Sequence, residues 1–295
     1  MRQFRFARRF KRYGVTFLLA ALHLSAASAV SAEPLPADLA QLDHLHAWRL
    51  TLPVPSRKGR AWADEIGFPE LARFTAPPWF LTAASGDGVV FRANAGGTRT
   101  SNNTRFARSE LREMNSLWEG EKLVRYETAS WDLADNLERR MFIRQAITAV
   151  PLNKPQVTVG QIHNARDDVV MIKFEGDSPG HLSKRGALQV RLNNAKDTYV
   201  IDPAYEIGQT FTVEIIAQAG KVSVLYNGKP TIVRDTPIRI ETAGCYWKAG
   251  MYIQSSTGNR STYKTPFEDE APDAYGEVVI HELRLTTSPG LAGVR

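Results

Sequence analysis

From residue 33 onward the chain is a succession of short runs in which apolar and polar positions alternate, separated by Gly, Pro, Asn and Asp. The runs fall at 47–52, 88–92, 157–163, 169–174, 188–192, 211–216, 222–226, 246–254 and 277–285. The first stops at Pro53, and the run at 222–226 ends on Asn227-Gly228, a hairpin turn signal. One segment, 61–74, reads as helix despite Pro69. Many short strands at regular spacing with little helix predict an all-β fold. The expectation is a single-domain jelly-roll β-sandwich with a concave groove, covering residues 33–295.

Alternation also sorts side chains by face, because residues two apart in a strand point the same way. In Arg-Ser-Glu-Leu-Arg at 108–112, Arg108, Glu110 and Arg112 share a face opposite Leu111. In Gln-Ile-His at 161–163, Gln161 and His163 face away from Ile162. Along 246–254 the polar set is Tyr246, Lys248, Tyr252 and Gln254, with Gly250 among them. Cys245, Trp247, Ala249, Met251 and Ile253 form the core side. A merely solvated sheet face would account for any one of these strands. Forked arginines, an amide, an imidazole and phenols together suit recognition of a carboxylate beside an acid–base pair. Gly250 in mid-strand fits a point where a ligand nears the backbone.

Composition and charge then narrow the function. The 295 residues carry 37 Lys+Arg against 31 Asp+Glu, a net charge of +6. Arg2, Arg5, Arg8, Arg9, Lys11 and Arg12 alone account for that excess, and no acid precedes Glu33. The remainder is balanced, so bulk charge gives no support for a nucleic-acid partner. The basic start, the apolar stretch 15–24 and the small residues up to Ala32 read as a signal peptide, 1–32. The apolar stretch is too short to span a bilayer. Export to the periplasm or the medium is expected, with no membrane association after cleavage. One cysteine, Cys245, excludes an internal disulfide and a cysteine-based zinc site.

The three polar segments resemble the signature blocks of the alginate lyases of polysaccharide lyase family 7. Residues 108–112 match R-[ST]-E-[LV]-R, 161–163 match Q-[IV]-H, and 246–254 are similar to Y-[FW]-K-A-G-x-Y-x-Q. Residues 48–53 and 276–285 resemble the family's opening and closing strands, so the likeness covers the chain after the signal. Trp247 and Ile253 depart from the residues frequent in the family, and both are expected to face the core.

The resemblance implies cleavage of alginate, a polymer of mannuronate and guluronate, by β-elimination. It assigns Arg112, Gln161 and His163 to the carboxylate of the reacting sugar, where they would stabilise an enolate-like species as an oxyanion hole does. It makes Tyr252 the acid, and also the base when the C5 proton and the leaving oxygen lie on one side of the sugar, as in mannuronate. His163 is the candidate base for guluronate. Arg108, Lys248, Tyr246 and Gln254 would contact substrate, and Glu110 would orient Arg108 or Arg112. The positive charge needed beside Tyr252 is expected from Arg112 or Lys248. No metal or cofactor is implied, and a monomer is expected.

Other readings carry distinct signatures. A non-catalytic uronate-binding module on the same fold would present aromatic platforms and need no His and Tyr on adjacent strands. A lyase for another polyuronate such as glucuronan would share the site. A glycoside hydrolase needs two catalytic carboxylates, and the E-x-D-x-x-E string is absent. The pair His44 and His46 and the cluster Glu268, Asp269, Glu270 and Asp273 lack metal-loop spacing and read as surface. The stretch 102–104 is a candidate lid or a plain connection.

Overall fold

Among the described residues, seventeen strands alternate apolar and polar positions closely enough to build two antiparallel sheets. The computed structural model describes residues 45–257 and 270–289. The proposed signal 1–32 lies outside them, as do His44, Glu268 and Asp269. The first strands are β1 (Trp48–Pro55), β2 (Ala63–Ile66), β3 (Phe80–Thr82), β4 (Val89–Asn94), β5 (Arg108–Glu119) and β6 (Lys122–Thr128). Next come β7 (Leu137–Ala149), β8 (Gln156–His163), β9 (Asp168–Gly176), β10 (Arg185–Leu192) and β11 (Asp197–Glu206). The last are β12 (Thr210–Gln218), β13 (Lys221–Tyr226), β14 (Lys229–Pro230), β15 (Thr236–Pro237), β16 (Tyr246–Ile253) and β17 (Tyr275–Pro289).

One sheet has nine strands in the order β11-β10-β9-β8-β16-β5-β1-β2, with β6 on β5. The other has eight, β14-β13-β12-β7-β17-β4-β3, with β15 on β13. The expected jelly-roll sandwich is therefore what forms. Between the sheets, Trp48, Leu50 and Leu52 of β1 meet Phe91 of β4, Ile143 of β7, Trp247 and Met251 of β16 and Val278 of β17, all at most 2 % exposed. Fully burying one such side chain contributes about 1.5–3 kcal/mol, and the non-local pairing of the sheets is offset by many of them. Trp247 and Ile253 face this core, as does Cys245. Gly276 of β17 lets the sheets close, since a Cβ there would lie 2.9 Å from Ile253, Met251 and Val157.

Two features of the nine-stranded sheet set the positions of its outer face. In β8, Val157, Val159 and Ile162 all lie in the core, a spacing of three that strict alternation forbids. Register shifts on both sides accommodate it: Lys248 to Tyr252, five residues of β16, run against the four from Gln161 to Thr158, and Thr158 and Gly160 lie opposite the consecutive Lys173 and Ile172 of β9. Gly250 has φ +132°, and a Cβ there would strike Ser109 O at 2.6 Å and Glu110 Cα at 2.8 Å. The close approach expected at Gly250 is thus made by β5 and by the Phe91 ring at 3.0 Å, not by a ligand.

Several expectations need correction. The segment 61–74 is not a helix. Ala63–Ile66 pairs with β1 as an edge strand, Leu50 opposite Ile66, and only a 3-10 turn at Glu70–Arg73 follows Pro69. Tertiary pairing overrides a helical pattern that Pro69 already interrupts. β1 runs on past Pro53 through a register shift between Thr51 and Pro55. The central strand β7 was not anticipated, because Arg139, Arg140, Arg144 and Gln145 interrupt its apolar residues. The Asn227-Gly228 turn holds, with φ of 48° and 72° at the two residues.

Gly250→Ala should destabilise the fold by at least about 2 kcal/mol, since the backbone conformation is strained for any Cβ and the obstacle is main chain. A thermal unfolding midpoint within a degree of the parent would refute this account of the position.

Candidate active site

The sheet order places β16 between β8 and β5, so the three polar segments are neighbours. Register fixes the partners: Tyr246 lies opposite His163, Lys248 opposite both Gln161 and Arg112, and Tyr252 opposite Arg108. The alternation that hides Leu111, Ile162 and Trp247 turns all of these polar residues to the sheet's outer face.

At the centre is Glu110, 1 % exposed. Its carboxylate accepts from Arg108 Nη1 at 2.7 Å, from Lys248 Nζ at 2.6 Å and from Gln161 Nε2. Burial pushes this carboxyl up, but Lys248 and Arg108 outweigh it and hold the group below 4.5. Lys248 is itself 6 % exposed; burial and the neighbouring Arg108 pull it down to about 8, against the favourable Glu110. Of the two arginines that Glu110 was expected to orient, it therefore holds Arg108. Arg112 is held instead by Glu65 of β2, through Nη2 and Oε1.

Tyr252 packs under the Arg108 guanidinium, whose carbon lies 3.8 Å from the ring centroid, with Lys248 Nζ at 5.8 Å. The closest cation on the phenol is thus Arg108, where Arg112 or Lys248 had been expected. Burial raises the Tyr252 hydroxyl above 10.0 and Arg108 opposes it, so the resting phenol keeps its proton.

His163 stacks on Tyr246 at 5.5 Å with planes 26° apart. Its Nδ1 meets the Asn164 carbonyl and lies 3.2 Å from the Tyr246 hydroxyl. A carbonyl only accepts, so Nδ1 carries the proton of the neutral ring and Nε2 presents a lone pair. Burial, then Lys248, lowers the imidazole below 6.5 and keeps it neutral near pH 7.

A cavity of about 510 Å³ lies beside these groups, and Tyr252, Gln161 and Glu110 are not among the residues that line it. Arg108, Arg112, His163, Tyr246 and Lys248 line it, joined by Thr51, Arg166 and Thr100, Ser101, Asn103 and Thr104. The stretch proposed as a lid or connection therefore forms a wall of the site. Arg108 Nε, Arg112 Nε, Gln161 Oε1 and Thr158 Oγ1 are buried beneath this face without a hydrogen-bond partner in the protein. Gln254 stands apart: it follows the end of β16, and its amide donates to the Ile253 carbonyl at 3.2 Å. Glu270, read as surface, is 3 % exposed and accepts the backbone N–H groups of Asn153 and Lys154. His46 packs against Phe68 and Trp118.

Three residues were not foreseen. Glu65 falls in the segment misread as helix, and Asp168 begins β9 one residue before the expected strand. Glu113 lies on the core side of β5 and accepts from Trp131 Nε1 at 2.8 Å and Trp247 N at 3.0 Å. Only the period-two pattern of 108–112, carried one residue further, signalled that Glu113 would share the face of Leu111, where it is half-buried.

A β-sandwich whose outer sheet face gathers cationic forks, an imidazole and a caged phenol belongs with enzymes that act on anionic polysaccharides. The family model described as alginate lyase matches residues 42–287. An alginate lyase of Klebsiella pneumoniae is 27 % identical over 316 residues, covering 91 % of this chain and 96 % of its own length. Among solved structures, an alginate lyase of polysaccharide lyase family 7 is 37 % identical with TM-score 0.68, covering 87 % of this chain and 100 % of its own. The Corynebacterium sp. alginate lyase is 30 % identical with TM-score 0.67, covering 86 % and 99 %. The chain belongs to the alginate lyases of polysaccharide lyase family 7 and is an enzyme of that class.

Replacing Glu110 by Gln leaves two buried cations without their counter-charge, which should cost about 3–5 kcal/mol in denaturant unfolding. Because the folded-state value of Glu110 is depressed, its contribution is present above pH 4.5 and lost as pH falls through the folded value. The acid side of the parent's stability curve should therefore flatten in Glu110→Gln, and an unchanged curve would contradict the assignment.

Proposed function

We propose that this enzyme cleaves alginate by β-elimination, with Tyr252 as acid, Tyr252 or His163 as base, and Arg112 with Gln161 holding the carboxylate of the reacting sugar. The observation that carries the reading is the register across β8, β16 and β5, which puts His163, Gln161, Lys248, Arg112, Arg108 and Tyr252 on one face of adjacent strands. Removing the C5 proton of a uronate builds charge on the neighbouring carboxylate, and fixed donors lower the barrier by stabilising that charge. Arg112 lines the cavity and brings its guanidinium to the carboxylate; the Gln161 amide retains a second N–H beyond the one given to Glu110.

The proton inventory divides the work. Tyr252 is protonated at rest, which suits donation to the departing glycosidic oxygen. Acting also as base on mannuronate requires it to ionise first, and Arg108 over its ring favours that step. His163 presents a lone pair at Nε2, so its neutral form serves as base for guluronate better than as a donor to the carboxylate. Arg108 and Lys248 line the same cavity and reach flanking carboxylates while sharing Glu110. The signal reading of 1–32 places the work in the periplasm or outside the cell, by a chain acting as a monomer.

Elimination leaves a conjugated C4–C5 double bond, so incubation with alginate should raise ultraviolet absorbance, which hydrolysis would not do. Tyr252→Phe should lower kcat by about 10³-fold or more with binding largely retained. Retained turnover would show that the acid is another group.

The two polymers should also differ in pH dependence. On guluronate blocks the rising limb of kcat/KM belongs to His163 and lies below 6.5, because the folded imidazole is depressed. On mannuronate blocks ionisation of Tyr252 governs, and the rise extends toward alkaline pH. Coincident limbs on purified block polymers would count against two separate bases.

A further inference from the structure

The proposed mechanism leaves one charged neighbour of His163 unused. Asp168 opens β9 directly opposite His163, and its Oδ1 lies 3.5 Å from His163 Nε2. The ring has little freedom to turn away. Nδ1 is committed to the Asn164 carbonyl, and Tyr246 covers one face. The nitrogen beside Asp168 is therefore the one that carries the lone pair.

Neutral imidazole gains little from a carboxylate at that distance, but imidazolium gains an ion pair. We propose that Asp168 is a positioning residue for guluronate cleavage, stabilising the imidazolium that forms when His163 Nε2 takes the C5 proton, and so sets the balance between guluronate and mannuronate turnover. The inference rests on the elimination mechanism proposed above and on His163 as its base. In the step, the C5–H bond breaks and the proton goes to Nε2. The electron pair becomes the C4–C5 double bond, the C4–O bond breaks, and the leaving oxygen takes the proton of Tyr252. Afterwards the imidazolium releases a proton and the phenolate regains one.

The surroundings make such a partner necessary. His163 is faced by Tyr246 and Lys248 from β16, by Arg108 and Arg112 from β5, and by Arg166 from the turn after β8. Burial, Lys248 and Arg108 all disfavour a second positive charge there, while Asp168 and the Asn164 carbonyl favour it. On mannuronate Tyr252 supplies both functions and His163 stays neutral, so Asp168 contributes nothing. Its charge even disfavours Tyr252 ionisation. A carboxylate kept in a groove for a polyanion also repels substrate, which is a cost unless it serves the chemistry.

The test is kcat and KM for the parent, Asp168→Asn, Asp168→Glu and His163→Asn on purified polyguluronate and polymannuronate across pH. In Asp168→Asn, kcat on polyguluronate should fall on the order of 10- to 100-fold, with its acidic limb moved to lower pH. On polymannuronate kcat should stay within about threefold, and KM on both polymers should fall or hold. Asp168→Glu should restore part of the guluronate rate. Equal losses on both polymers, an unmoved limb with full guluronate rate, or a parent inactive on polyguluronate would overturn the inference. A parent that yields no unsaturated product from alginate, or a His163→Asn enzyme with full guluronate rate, would overturn the underlying mechanism instead. Unfolding midpoints of the variants separate a loss of chemistry from a loss of fold.

Discussion

A carboxylate buried in a protein either takes up a proton or is surrounded by donors, and Glu110 is surrounded. Arg108 from its own strand, Lys248 from β16 and Gln161 from β8 all converge on it. That single requirement joins three strands across the outer face of one sheet. It also sets the site's electrostatics. Drawn to Glu110, Arg108 lies over the Tyr252 ring, and Lys248 loses enough hydration that its charge becomes labile near pH 8. Without Glu110, the buried cations would repel one another, and neither would have reason to stay beside the phenol. One buried carboxylate thus fixes where both cations stand beside the phenol.

The sheet reconciles this polar centre with an apolar core directly beneath it. Leu111, Ile162, Trp247 and Met251 alternate with the polar residues and are at most 2 % exposed. Their burial holds the backbone, and the backbone holds the side chains above. Where alternation fails to bring the right groups together, the register shifts on both sides of β8 correct it, turning Thr158 and Gln161 to the same face. Gly250 accepts the backbone twist this region needs, and β5 then packs against it too closely for any side chain. Strain, packing and the site are one arrangement.

Much of this was legible because it follows from period two. The split of 246–254 into Tyr246, Lys248 and Tyr252 against Trp247, Ala249, Met251 and Ile253 needs only the strand's pleat, and the core side is buried as expected. Adjacency of the strands could not be read that way: sheet order is non-local, and β16 enters between β8 and β5 from far along the chain. Partners across strands were equally hidden. Glu65 sits in a segment whose spacing looks helical, and it becomes a strand only by pairing with β1. Asp168 is an ordinary turn acid until register sets it against His163. β7 was missed for a related reason, since Arg140 and Arg144 suit a solvated face while Arg139 and Gln145 break the apolar run of Met141, Ile143 and Ile147 on the buried one.

The same logic explains how a balanced chain can act on a polyanion. Outside the basic N-terminus, bases and acids are equal in number, so attraction cannot come from total charge. Nor is the groove purged of acids, as Glu110, Glu65 and Asp168 all stand in or beside it. Each is placed against a specific partner: Glu110 between Arg108 and Lys248, Glu65 on Arg112, Asp168 at His163. Glu110 and Glu65, each in an ion pair, have little field left to repel substrate, yet they fix the direction of their partners' remaining donors. Arg112 gives Nη2 to Glu65 and Gln161 gives one amide N–H to Glu110, which fixes how each presents the donors that remain. Acids in the groove therefore do for orientation what extra bases would do only for attraction, and orientation is what a transition state rewards.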